Sequence, residues 1–109
     1  MKELKVPTSR SYHDYLISSL KSSESAASYL EVMLELEEEG REVELLRAGL
    51  KDVVDAYLQM NNLSDKAKLL YEKLDQLLSE SGGEEIYSLI EFLNALGFGL
   101  GVKVKEMNQ

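Results

Sequence analysis

Residues 74–100 read LDQLLSESGGEEIYSLIEFLNALGFGL. Leu74, Leu77 and Leu78 stand at i, i+3 and i+4. After a break at Ser79–Gly83, the residues Ile86, Leu89, Ile90, Leu93 and Leu96 resume helical spacing. The stretch therefore predicts one helix that ends at the glycines, a second amphipathic helix that Gly97 stops, and a glycine-punctuated exit. Two helices of this length cannot bury an apolar face on their own, so the rest of the chain must supply packing partners. An all-α fold class follows.

The upstream chain offers such partners. Tyr12, Tyr15, Leu16 and Leu20 fall on one face of a short helix, with Thr8, Ser9 or Ser11 as its N-cap. Residues 22–25 (SSES) interrupt the pattern and start a second helix, marked by Ala26, Leu30, Met33, Leu34 and Leu36. That helix is expected to close at Glu37–Gly40, with Gly40 in the left-handed conformation. Residues 41–57 form a third helix with Val43, Leu46, Leu50, Val53, Val54 and Tyr57 on one side. Ala48 and Gly49 within it permit a close helix–helix approach. Residues 58–62 connect it to a short helix over 63–67 and a longer one over 69–81, and Leu63, Ala67, Leu70, Leu74 and Leu77 mark their apolar face. Residues 98–105 (FGLGVKVK) alternate weakly and read as a possible short C-terminal strand, an edge through which a homodimer can extend. The expected organisation is an N-terminal arm over 1–11, a single helical domain over 12–105 with a helix-turn-helix at about 62–80, and a tail over 106–109.

Composition narrows the function. The 109 residues contain no cysteine, which removes disulfides, thiolate metal sites and cysteine nucleophiles. No run approaches the ~20 apolar residues of a membrane helix, and no signal peptide is legible, so a cytoplasmic protein with no membrane partner is expected. His13 beside Asp14 is the only histidine–acid pair, and no nucleophilic triad, phosphate loop or spaced metal cluster is present. No enzyme activity, cofactor or metal is expected. Twenty acidic against 12 basic residues give a net charge of −8, an unusual balance for a phosphate-binding surface and a natural one for a protein with a basic partner. Residues 31–44 concentrate the acid: Glu31, Glu35, Glu37, Glu38, Glu39, Glu42 and Glu44 surround a single basic residue, Arg41.

The segments YHDYLISSL (12–20), AASYLEVMLEL (26–36), LRAGLKDVVDA (46–56), LLSESG (77–82) and LIEFLNALG (89–97) occur in the order found in the addiction-module antidote family. These HigA-like antitoxins are small Cro/cI-type, λ-repressor-like helix-turn-helix proteins. The chain resembles them over roughly residues 8–105. The most specific matches are the tandem pattern carried by LLSESG and LIEFLNALG, and the L-x-D-V-x-x-A helix carried by Leu50, Asp52, Val53 and Ala56. The resemblance implies a transcriptional regulator that binds operator DNA and neutralises a cognate RelE/HigB-like toxin, as a homodimer.

By the same resemblance, Asn62 opens the first motif helix and Ser64 is its small packing residue. Leu70 occupies the N-cap of the recognition helix and Tyr71 a frequent arginine position. The chain departs from the family pattern at Lys68 (glycine of the turn), Leu70 (serine), Tyr71, and the pair Asp75–Gln76 (tyrosine–lysine). The DNA contacts implied are Asn62, Tyr71, Lys73 and Gln76, the asparagine and glutamine being able to read adenine. The alternative expectation is a degenerate helix-turn-helix protein that serves only as a protein-interaction module.

Overall fold

A computed structural model describes residues 9–35 and 42–105. They form five helices: α1 (Ser9–Ser19), α2 (Ser23–Leu34), α3 (Val43–Gln59), α4 (Asp65–Ser81) and α5 (Glu84–Ala95). The all-helical class expected from the periodicity is the one found. Residues 1–8, 36–41 and 106–109, which include the expected close at Glu37–Gly40, lie outside the described residues; α2 itself ends at Leu34, where the Glu35 amide donates to Val32, short of the expected Leu36.

Helix α3 is the hub, packing against α1, α2 and α4. Its apolar stripe spans two clusters. In the first, Ala56 (0% exposed) lets the end of α1 come close, so that Ile17 and Leu20 bury against it beside Val53 and Tyr29. In the second, Leu46 of α3 meets Leu78 of α4 and Tyr87 and Ile90 of α5, flanked by Met33 of α2 and by Leu100. Gly49 lets Met33 of α2 pack directly on α3. A Cβ placed there would lie 2.6 Å from Met33 Sδ, so the thioether occupies the space that the missing side chain leaves free.

The helix ends are written in the local sequence. Ser22 and Ser64 cap α2 and α4, accepting from the amides of Ser25 (3.3 Å) and Ala67 (3.0 Å). Helix α3 closes on Asn61 at φ 56°, with the Asn62 amide donating to the Tyr57 carbonyl and the Asn61 amide to Leu58. Helix α5 closes the same way on Gly97, with Phe98 donating to Leu93 and Gly97 to Asn94. Both are six-to-one and five-to-two bond pairs around a left-handed residue. Between α4 and α5 the chain turns on Gly82 and Gly83, at φ 72° and 79°.

Three expectations are corrected. The break near Lys68 is absent, because residues 65–81 form one helix. Ser64 starts it, and no glycine or proline follows to stop it before Gly82. Leu70 is therefore mid-helix rather than an N-cap, and Ser64 is a cap rather than a packing residue. Of the apolar face read from Leu63, Ala67, Leu70, Leu74 and Leu77, the last four lie on α4 and point outward, Leu63 is half-buried before its start, and Tyr71, Asp75 and Leu78 turn toward α3. Finally, residues 98–105 contain no strand. Leu100 packs back on the second core cluster, and no strand occurs among the described residues.

Candidate functional site

The four residues implied as DNA contacts do not form one surface. Asn62 is exposed, but it follows the turn that closes α3 and its amide is held by Tyr57. Tyr71 is half-buried on the α3 side of α4, and its phenol pKa is raised, first by burial and then by the nearby Asp75 carboxylate. Lys73 and Gln76 are exposed on the outer side, where the Gln76 amide donates to Glu80 at 3.1 Å. At about 100° per residue, Lys73 and Gln76 stand roughly 60° apart, whereas Tyr71 and Lys73 stand roughly 160° apart. The structure thus brings two of the four together and turns Tyr71 away from them.

Asp75 is inside the bundle seam. The Arg47 guanidinium of α3 donates to it in a fork, Nε to Oδ1 at 2.9 Å and Nη2 to Oδ2 at 3.2 Å. Arg47 Nη1 also reaches Glu44 at 3.4 Å. The hydrogen bond from Arg47 holds the Asp75 carboxyl below the usual carboxylate range. This bidentate pair fixes α4 against α3 in rotation and height.

A second feature is a cleft of ≈ 550 Å³ between the C-terminal ends of α2 and α5. Its formation follows from Gly97. The left-handed residue reverses the chain, so residues 98–101 run back along α2 and Leu100 drops into the core. Leu34, Ile90, Phe98 and Leu100 give the cleft an apolar lining, and Glu31 and Glu35 place two carboxylates on it. Gly101 closes one side, where an added Cβ would meet Glu31 Oε2 at 3.6 Å. A mostly polar trough that joins an apolar patch to two carboxylates matches the anatomy of a lysine or arginine side chain, whose aliphatic stem packs on apolar groups while its charge is met by the acids. The sequence showed the acids and the glycine exit separately. It carried no signal that the exit folds back beside Glu31.

A third grouping joins α1 to α3. His13, Asp52 and Asp55 place their donor atoms within 4.8 Å of one another. Both carboxylates have partners: the Tyr29 hydroxyl donates to Asp52 at 2.9 Å, and the Lys51 ammonium donates to Asp55 at 3.1 Å. Burial, then the bond to Asp52, pushes the Tyr29 phenol up to about 12. With an ammonium group already at Asp55, the cluster is a polar seam that ties α1, α2 and α3 together. His13, paired in sequence with Asp14, is placed in space with acids some forty residues away.

No family model, curated protein or solved structure matches the chain. No helix among the described residues is long and apolar enough to cross a membrane.

Proposed function

We propose that this protein is the antidote of a toxin–antidote pair and that it works by protein–protein contact, holding a basic RelE/HigB-like toxin against its acidic surface. The observation that carries this reading is the cleft, in which Glu31 and Glu35 place two carboxylates beside the apolar side chains of Leu34, Phe98 and Leu100. A net charge of −8 adds long-range attraction for such a partner and steers its approach. The test is co-purification with the small basic protein encoded beside it. The pair co-elutes with the intact chain, and the double variant Glu31→Lys, Glu35→Lys releases the partner without loss of helix. A complex indifferent to that charge reversal, or no complex at all, refutes the reading.

Operator binding is the second half of the antidote role, and one observation favours it: Arg47 holds Asp75 on the side of α4 toward α3, while Lys66, Lys73 and Gln76 are exposed on the outer side. Against them on the same helix stand exposed Asp65, Glu72 and Glu80. Phosphate contact needs net positive charge, so protein binding is the leading half. A gel shift at low salt with the DNA upstream of its own coding sequence decides it. A salt-sensitive shift, weakened by Lys73→Ala, adds the regulator's role, and an unshifted probe leaves a protein-interaction module alone.

A further inference from the structure

Among the described residues, the outward face of α4 is an unpartnered heptad seam. Ala67, Leu70, Leu74, Leu77 and Ser81 recur at alternating steps of three and four. Leu70 and Leu77 are 54% and 53% exposed. Nothing in the core requires them, because Tyr71, Asp75 and Leu78 already attach α4 to α3. Leucines in this register are what one helix presents to another.

The charges along the seam say which helix. On the edge away from α3, the flanking positions are Lys66, Lys73 and Glu80, basic at the start of the helix and acidic at its end. Within one helix that order opposes the macrodipole, which favours acids at the N-terminus and bases at the C-terminus. Against a second α4 running the other way it becomes complementary. Lys66 of each copy faces Glu80 of the other, and the two dipoles oppose. In the same register Leu70 meets Leu74, and Ala67, the small residue, meets Leu77. Only Lys73 meets its own copy at the centre.

We propose that α4 is a self-association surface and that two copies of this chain pair through it as an antiparallel helix couple. The surface is distinct from the acidic cleft, so the pairing stands or falls independently of toxin binding. A helix of 17 residues is about 25 Å long, which makes this a small interface, and the dimer is weak and concentration-dependent.

The test is sedimentation velocity of the full chain from micromolar to millimolar concentration. The protein moves from monomer to dimer, and Leu77→Lys holds it monomeric with an unchanged helical spectrum. Lys66→Glu and Glu80→Lys each weaken the dimer by about fivefold to tenfold, since two symmetric exposed pairs turn repulsive. The double reversal restores it, and Lys73→Gln strengthens it. A monomer at every concentration overturns the proposal. So does a dimer that survives Leu77→Lys, a dimer broken instead by Phe92→Lys on α5, or a double reversal that fails to rescue. In a parallel pair Lys66 would face Tyr71 and the reversal would have no such pattern, so the rescue fixes the orientation. If the dimer forms while Glu31→Lys, Glu35→Lys leaves toxin binding intact, the antidote reading fails alone.

Discussion

Replacing Gly83 by alanine, compared with the same change at Gly82, isolates the contact that seats α5. Both glycines are left-handed, at φ 79° and 72°, and alanine in that conformation costs roughly 1–2 kcal/mol. At Gly82 nothing lies within 4 Å of the new Cβ, so that strain is the whole cost. At Gly83 the Cβ falls 2.9 Å from Cε2 of Tyr87 and 3.4 Å from Cγ2 of Val43. The Tyr87 ring is 1% exposed and enclosed by the second core cluster. It cannot swing aside, and overpacking of this kind adds about 1–3 kcal/mol. Gly82→Ala should therefore cost about 1–2 kcal/mol and Gly83→Ala about 2–5 kcal/mol. At roughly 4–8 °C per kcal/mol for a domain of this size, the second variant melts at least about 8 °C lower than the intact chain. Urea titrations followed by circular dichroism give both values, and Tyr87→Leu as background isolates the ring's share. Equal losses at the two glycines, or an excess at Gly83 that persists without the ring, would show that Tyr87 does not sit on the turn.

Other expectations follow from the same geometry. Gly49→Ala gains about 1 kcal/mol of helix propensity but drives a methyl into Met33, so in the intact chain the gain is cancelled or reversed. In a Met33→Ala background Gly49→Ala stabilises, and equal effects in the two backgrounds would disprove the contact. Asn61→Gly relieves a left-handed residue and raises the melting temperature slightly, whereas Asn61→Val lowers it, as a thermal scan records. For Asp75 the folded carboxyl is held down by Arg47. Its stabilisation is complete above the unfolded carboxylate value, near pH 4, and lost as pH falls through the lower folded value; Arg47→Ala flattens that acid limb of the stability profile. For Tyr29 the sign is opposite. With the folded phenol near 12, its contribution is complete below about pH 10 and lost as pH rises toward 12, and Tyr29→Phe removes this loss from the alkaline limb.

How much of this was legible without coordinates differs residue by residue. Four of the five helices were, because caps and stops are local chemistry; α4 was expected as two pieces. Ser22 and Ser64 offer hydroxyls, Asn61, Gly82 and Gly97 tolerate the left-handed conformation, and a run such as DKAKLLYEKLDQLL contains nothing to break it. The break expected between the helices over 63–67 and 69–81 rested on no residue that terminates a helix, and the chain runs through it. The α3 stripe was legible as well, since Leu46, Leu50 and Val53 have only one face to share.

Sidedness was not legible on α4. Its leucines form the more regular apolar stripe, and periodicity alone sends them inward. Tyr71, Asp75 and Leu78 form a rival face that looks poorer, because Asp75 counts as a surface residue until Arg47, 28 positions earlier, is seen to neutralise it. Tyr87 likewise gave no hint that it would be among the largest fully buried side chains. The glycine exit gave none that it would return past Glu31 and build a cleft. Helix existence depends on interactions within about four residues, which a sequence displays directly. Which face a helix buries, and which distant charges meet, depends on how the helices dock, and only the tertiary structure decides that.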